Sequence, residues 1–147
     1  MAAALQTRIH EGLNGALPDL RDAWRQCLSA CPPEQQLFTF DWYDAWTRAY
    51  GTRPPWTGRT RVIVVHDPAG APCALLPLIE RRAQGLTWLS LAGFYQPLRT
   101  FPAVPILAGD ACEALARALL HDLSGWDVLR FGPWDAAAPE RAALIDA

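Results

Sequence analysis

RVIVVHDPAGAPCALLPLIERR, residues 61–82, decides the fold. RVIVVH is β-branched and apolar, DPAG is a strong turn signal, and APCALLPLIERR is a second extended run. Together they predict a β-hairpin whose turn is longer than two residues. Pro77 lies inside the second strand and has no N–H for a ladder, so an edge or a bulge is expected there. The polar group that follows, with Gln84 and Gly85, turns the chain into TWLSLAG, a third strand.

Upstream, GTRPPWTGRT reads as a turn-rich loop stiffened by its diproline. Before it comes FTFDWYDAWTRAYG, residues 38–51, with two Trp, two Tyr and two Phe in fourteen positions. Thr39 or Asp41 is the expected N-cap, and Gly51 stands where a helix end favours left-handed backbone. Trp42, Trp46 and then Ala49 or Tyr50 recur at helical spacing, which predicts a core-facing stripe. An exposed row of tryptophans would present a large apolar patch to water. Asp44 and Arg48 are expected on the other side as a surface pair. LPDLRDAWRQCLSACPP gives an earlier amphipathic helix through Leu17, Leu20, Trp24, Cys27, Leu28 and Cys31, with Pro18 in its first turn and Pro32-Pro33 as its stop. The residues before it, 1–16, read as irregular.

Downstream, FYQPLRTFPAVP is irregular and leads to a short strand around Val104 to Leu107. Asp110 is read as the cap of ACEALARALLHDL, with Glu113 as its capping-box partner and Leu115, Leu119 and Leu123 on one face. WDVLRFG is a further strand, and PERAALIDA begins a helix at Pro139 that completes about two turns. This order predicts an α+β fold, a largely antiparallel twisted sheet with helices packed on it.

The bulk composition narrows the function. The chain has 147 residues, 51% apolar and 19% charged, which suits one globular domain. A net charge of -2 provides no field for gathering nucleic acid. All 13 basic residues are arginine, so Schiff-base lysine chemistry and the lysine of a phosphate-binding P-loop are excluded. The opening MAAALQTRIHEG is too polar for a signal peptide, and no segment has the length of apolar sequence a membrane-spanning helix needs, so a cytoplasmic protein is expected. Cys27, Cys31, Cys73 and Cys112 read as buried free thiols, because a zinc site would have to recruit Cys112 and His121 from another element.

Several blocks in succession carry a family resemblance: FTFDWYDAWTRAYG, the hairpin with its Leu-Leu-Pro-Leu strand, TWLSLAG, and GWDVLRFGPW. Over residues 17–135 the chain resembles the amino-terminal half of the CelD-like proteins, named from cellulose biosynthesis, in the GNAT acyltransferase superfamily, which are related to the FemAB-type tandem acyltransferases. The resemblance implies a GNAT-like half domain over 17–135, with 136–147 as the start of a truncated helix. It also implies a second GNAT-like domain, carboxy-terminal to this segment, that would hold acetyl-CoA or another acyl-CoA. A coenzyme cradle needs a glycine-containing strand-to-helix turn. The nearest run here, RAQGLT from Arg82 to Thr87, leads into a strand and reads as a hairpin turn, so no cofactor is expected on this segment and it is expected to be inactive alone.

The implied acceptor is a small-molecule amine, a sugar or cell-envelope precursor. The implied substrate-facing residues are Tyr95, Gln96 and Arg99 in the irregular loop, with Trp134 and Asp135; for the loop, a solvated segment with Arg99 paired to an acid is the alternative. The sequence offers no catalytic residue for this reaction. Two other readings stand beside it. His66 and Cys73 flank the hairpin turn and could form a nucleophile pair, with packing as the alternative. Trp56, Trp88 and Trp126 could stack sugars, with core and anchor roles preferred. A stand-alone binding or interaction domain is the competing class.

Overall fold

A computed structural model describes residues 4–12, 17–31, 33, 36, 38–93 and 109–130. Its core is a five-stranded sheet in sequence order: β1 (Gln6–Glu11), β2 (Trp56–His66), β3 (Pro72–Ala83), β4 (Leu86–Leu91) and β5 (Val128–Arg130). The first three pairings are antiparallel and the last, β4 with β5, is parallel. The fold is therefore α+β with a mixed, mainly antiparallel sheet. Helices α1 (Leu17–Ser29) and α2 (Phe40–Trp46) precede β2, and α3 (Gly109–Arg117) lies between β4 and β5 in the chain.

The run VIVV explains the layering. In a strand successive side chains face opposite ways, so a continuous apolar run needs cover on both faces. Val62 and Val64 join Leu75 and Ile79 under Leu20, Trp24, Phe40, Tyr43 and Trp46 of α1 and α2. Ile63 and Val65 join Leu76, Leu78, Leu89 and Leu91 under Leu115 of α3 and Leu119 of the helical turn that continues it. Two cores thus sandwich one sheet.

The hairpin forms as expected. Asp67 Oδ1 accepts from the backbone N–H groups of Ala69 (2.9 Å) and Ala71 (2.8 Å), which closes the turn. Pro77 is neither on an edge strand nor at a bulge; it pairs with Val62 inside the sheet. Its carbonyl accepts from Ala92 N at 3.0 Å, so its nitrogen faces the β4 side opposite Ala92, where it cannot donate the return bond, and the β3–β4 pairing ends at Leu78↔Leu91. Arg82 to Thr87 is a tight hairpin turn, with Gln84 at φ 55° and Gly85 at φ 75° between the paired Ala83 and Leu86.

Several expectations are corrected. The amino-terminal segment is not irregular throughout: β1 pairs from Gln6↔His66 to Glu11↔Arg61. Ile9 is its one strongly apolar residue, too little for a strand signal, but β2 has an open backbone edge that this segment satisfies. Strand β2 begins at Trp56, inside the stretch read as a loop, and a register shift between Trp56 and Thr60 absorbs Gly58.

On α2 the buried stripe is Phe40, Tyr43 and Trp46, with Trp42 half-buried and Ala49 exposed. The stripe is set by contact with Trp24 of α1, whose ring lies 5.7 Å from Phe40 and 4.8 Å from Tyr43. Thr39 is the N-cap, accepting from Trp42 N at 3.2 Å. Asp44 does pair with Arg48, whose side chain is exposed, but Asp44 itself is only 5% exposed, so the pair is anchored in the core on its carboxylate side. Gly51 has no positive φ; its Cβ would meet Ile79 Cδ1 and Thr47 Cγ2, both at 3.1 Å, so close packing is its role. Helix α3 starts at Gly109, which puts Asp110 within the first turn and not at its cap, and Glu113 accepts from Arg117 Nη2 at 2.7 Å, the favourable i,i+4 pairing. The strand expected at 104–107 and the helix expected from Pro139 lie outside the described residues.

Candidate functional site

Tyr95, Gln96, Arg99, Trp134 and Asp135 all lie outside the described residues. What the structure does give is the place from which their segments continue. The chain passes Leu91 at the carboxyl end of β4 into Ala92 and Gly93, and residues 94–108 follow; Arg130 ends β5, and 131–147 follow. Both segments therefore continue from the carboxyl ends of two adjacent parallel strands. In sheets containing parallel strands, ligands commonly bind outside such ends.

Aromatic packing fixes that exit. Gly93 has φ 83°, and a Cβ there would meet Trp42 Cζ3 and, at 3.0 Å, Tyr43 Cε1. Trp42 is itself wedged between Phe38 and Tyr43, with ring centroids 5.6 and 4.9 Å away and both contacts near perpendicular. Tyr43 is 1% exposed, and burial pushes its phenol well above the usual tyrosine range. Its hydroxyl has no hydrogen-bond partner among the described residues.

The other candidates separate in space or chemistry. The Cys73 thiol points at the Val65 carbonyl (3.5 Å), while His66 Nδ1 has no hydrogen-bond partner among the described residues, so no described hydrogen bond through that nitrogen activates a nucleophile. Desolvation, then the charge of Arg8, lowers the His66 pKa. Cys27 is pushed up to about 12 by burial first and by Cys73 and Cys31 second, so it is an inert thiol. Trp126 packs on the α3 side of the sheet and donates to the Leu123 carbonyl at 3.1 Å, whereas Trp56 packs on the α1/α2 side. They cannot form one sugar platform. No group of three or more His, Cys, Asp or Glu capable of holding a metal occurs among the described residues.

A cavity of about 310 Å³, which sequence reading did not single out, lies toward the opposite end of the sheet. Its aromatic lining is Trp46, Tyr50 and Trp56, with the Trp46 centroid 6.3 Å from Tyr50 and 6.0 Å from Trp56. Arg53, Pro54, Pro55 and Arg81 complete it. Register brings these residues together: Trp56 pairs with Arg81, and Arg81 pairs in turn with Trp88, over which its guanidinium sits at 5.0 Å. The periodic signal had marked Trp46 and Tyr50 as core; only the strand pairing adds the two arginines.

Comparison of the chain with protein-family models, curated proteins and solved structures gives no significant match to any of them.

Proposed function

We propose that this chain is the amino-terminal, acceptor-side half of a CoA-dependent N-acyltransferase of the GNAT type, with the acyl-CoA held by a further domain carboxy-terminal to it. The observation that carries the reading is the parallel β4–β5 pair inside an otherwise antiparallel sheet. It makes the two segments bearing Tyr95, Gln96, Arg99, Trp134 and Asp135 leave from neighbouring strand ends. An aromatic face, an amide and a cation carried on those segments suit an acceptor carrying hydroxyl groups and an amine. In such a reaction the acceptor amine attacks the thioester carbonyl, the carbon–sulfur bond breaks, and coenzyme A leaves as the thiol. Holding the two reactants together supplies much of the rate enhancement.

The test is thioester turnover. The chain produced with the region encoded downstream of Ala147 should release free thiol from acetyl-CoA when an amino sugar is added, and the 147 residues alone should not. A longer polypeptide that releases no thiol with any amine offered, or tight coenzyme A binding by the short chain, overturns the proposal. A second reading, a binding domain with no catalytic task, is favoured by the preformed cavity at the other end of the sheet.

A further inference from the structure

The cavity between α2 and the start of β2 has the chemistry of an anion site. Arg53 and Arg81 both line it, and neither forms an ion pair among the described residues. Every described residue lining it is aromatic, proline or arginine, so no carboxylate among the described residues neutralises them there. Alternation along β3 explains why: Glu80 and Arg82 face the other side of the strand, where Glu80 takes Arg59 and Arg82 as its partners. Two unneutralised guanidinium groups against low-polarity walls attract anions.

The cavity is also built in advance. Arg53 N donates to the Tyr50 carbonyl (3.0 Å), Trp56 N to the Arg53 carbonyl (2.9 Å), and Arg82 N to the Pro55 carbonyl (3.3 Å). The first ties the Arg53 to Trp56 turn to the helical turn that follows α2, the second closes the turn on itself, and the third ties it to β3. Cation–π contacts, Arg53 over Tyr50 at 5.8 Å and Arg81 over Trp88 at 5.0 Å, orient both guanidinium groups. A ligand would therefore meet a shape that needs little further ordering.

We propose that this cavity binds a phosphate monoester carried on an aromatic ring. The ring would stack among Tyr50, Trp46 and Trp56, and the phosphate would accept hydrogen bonds from Arg53 and Arg81. A phosphomonoester carries nearly two negative charges at neutral pH, matching two cations where a carboxylate would match one. The volume is near the lower end for ligand pockets, which limits the occupant to about one ring and its head group. The site lies away from the carboxyl ends of β4 and β5, so it stands whether or not the chain serves an acyltransferase.

Phenyl phosphate is the probe, titrated into the 147-residue chain while the indole N–H signals are followed by NMR. Saturable shifts confined to Trp46, Trp56 and the neighbouring Trp88 are expected, with inorganic phosphate and benzyl alcohol each binding at least about tenfold more weakly. Arg53→Gln and Arg81→Gln should each weaken phenyl phosphate by about tenfold or more. Arg53 is an exposed turn residue, so its variant decides the matter if Arg81→Gln does not fold. Shifts at other tryptophans only, no saturation at millimolar probe, equal binding of either half-ligand, or wild-type affinity in Arg53→Gln overturns the proposal.

Discussion

Replacing Gly93 by alanine tests the claim that the α2 aromatics fix where the chain leaves β4. Two costs arise. At φ 83° any L side chain meets its own backbone, a penalty of about 1–2 kcal/mol. The new Cβ would also lie 2.8 Å from Trp42 Cη2 and 3.0 Å from Tyr43 Cε1. Trp42 cannot simply swing away, because Phe38 and Tyr43 hold it edge-on, so relief requires the cluster to shift, costing about 1–3 kcal/mol more. Gly70 supplies the control: its φ is 86°, yet among the described residues nothing lies within 4 Å of a built Cβ. Gly70→Ala carries the backbone penalty and the unfolded-state entropy gain without the clash. Urea denaturation of both variants should therefore separate them by about 1–3 kcal/mol, with Gly93→Ala the less stable. In a Trp42→Leu background most of that excess should vanish, since the pair is coupled. If the two alanine variants unfold within about 0.3 kcal/mol of each other, the packing argument is wrong.

Three further outcomes follow from the buried groups. Tyr43→Phe removes a buried hydroxyl without a partner among the described residues, so the variant should be as stable as the parent or up to about 1 kcal/mol more stable by urea denaturation; a loss of that size would reveal a missed hydrogen bond. Cys27, with its thiol pushed up to about 12, should resist a thiol reagent at pH 8 in the folded protein and react once urea is added, and the count of thiols labelled before and after unfolding checks this. His66 has its pKa lowered in the folded state, so the unfolded chain takes up its proton first. Its contribution is intact above about pH 6.5 and is lost as pH falls from there toward the folded value, so the unfolding midpoint should drop between pH 7 and 5, and less so in His66→Gln. An identical pH profile in that variant would count against the assignment.

Local signals and long-range pairing divide the molecule between them. The hairpin was legible because Val62 to Val65, the Asp67 turn and the Leu75 to Ile79 run each carry their own propensity, and α3 because Leu115, Leu119 and Leu123 repeat at helical spacing. Strand β1 was not, since Thr7, Arg8 and His10 give no apolar alternation and the strand exists through β2's need for a backbone partner. The same holds for charge. Arg61 is 2% exposed and donates to the Ser124 carbonyl, joining the middle of the hairpin to the turn before β5. No spacing rule relates residues 63 positions apart. The candidate sites repeat this division. Tyr95, Gln96 and Arg99 could be proposed because they are neighbours in sequence, whereas Arg53 and Arg81 become one site only when Trp56 and Arg81 pair across β2 and β3. In a mainly antiparallel sheet, the residues that meet at a strand end are chosen by register. A pocket assembled there leaves its parts scattered along the chain, each looking like core or surface, until the hairpin closes.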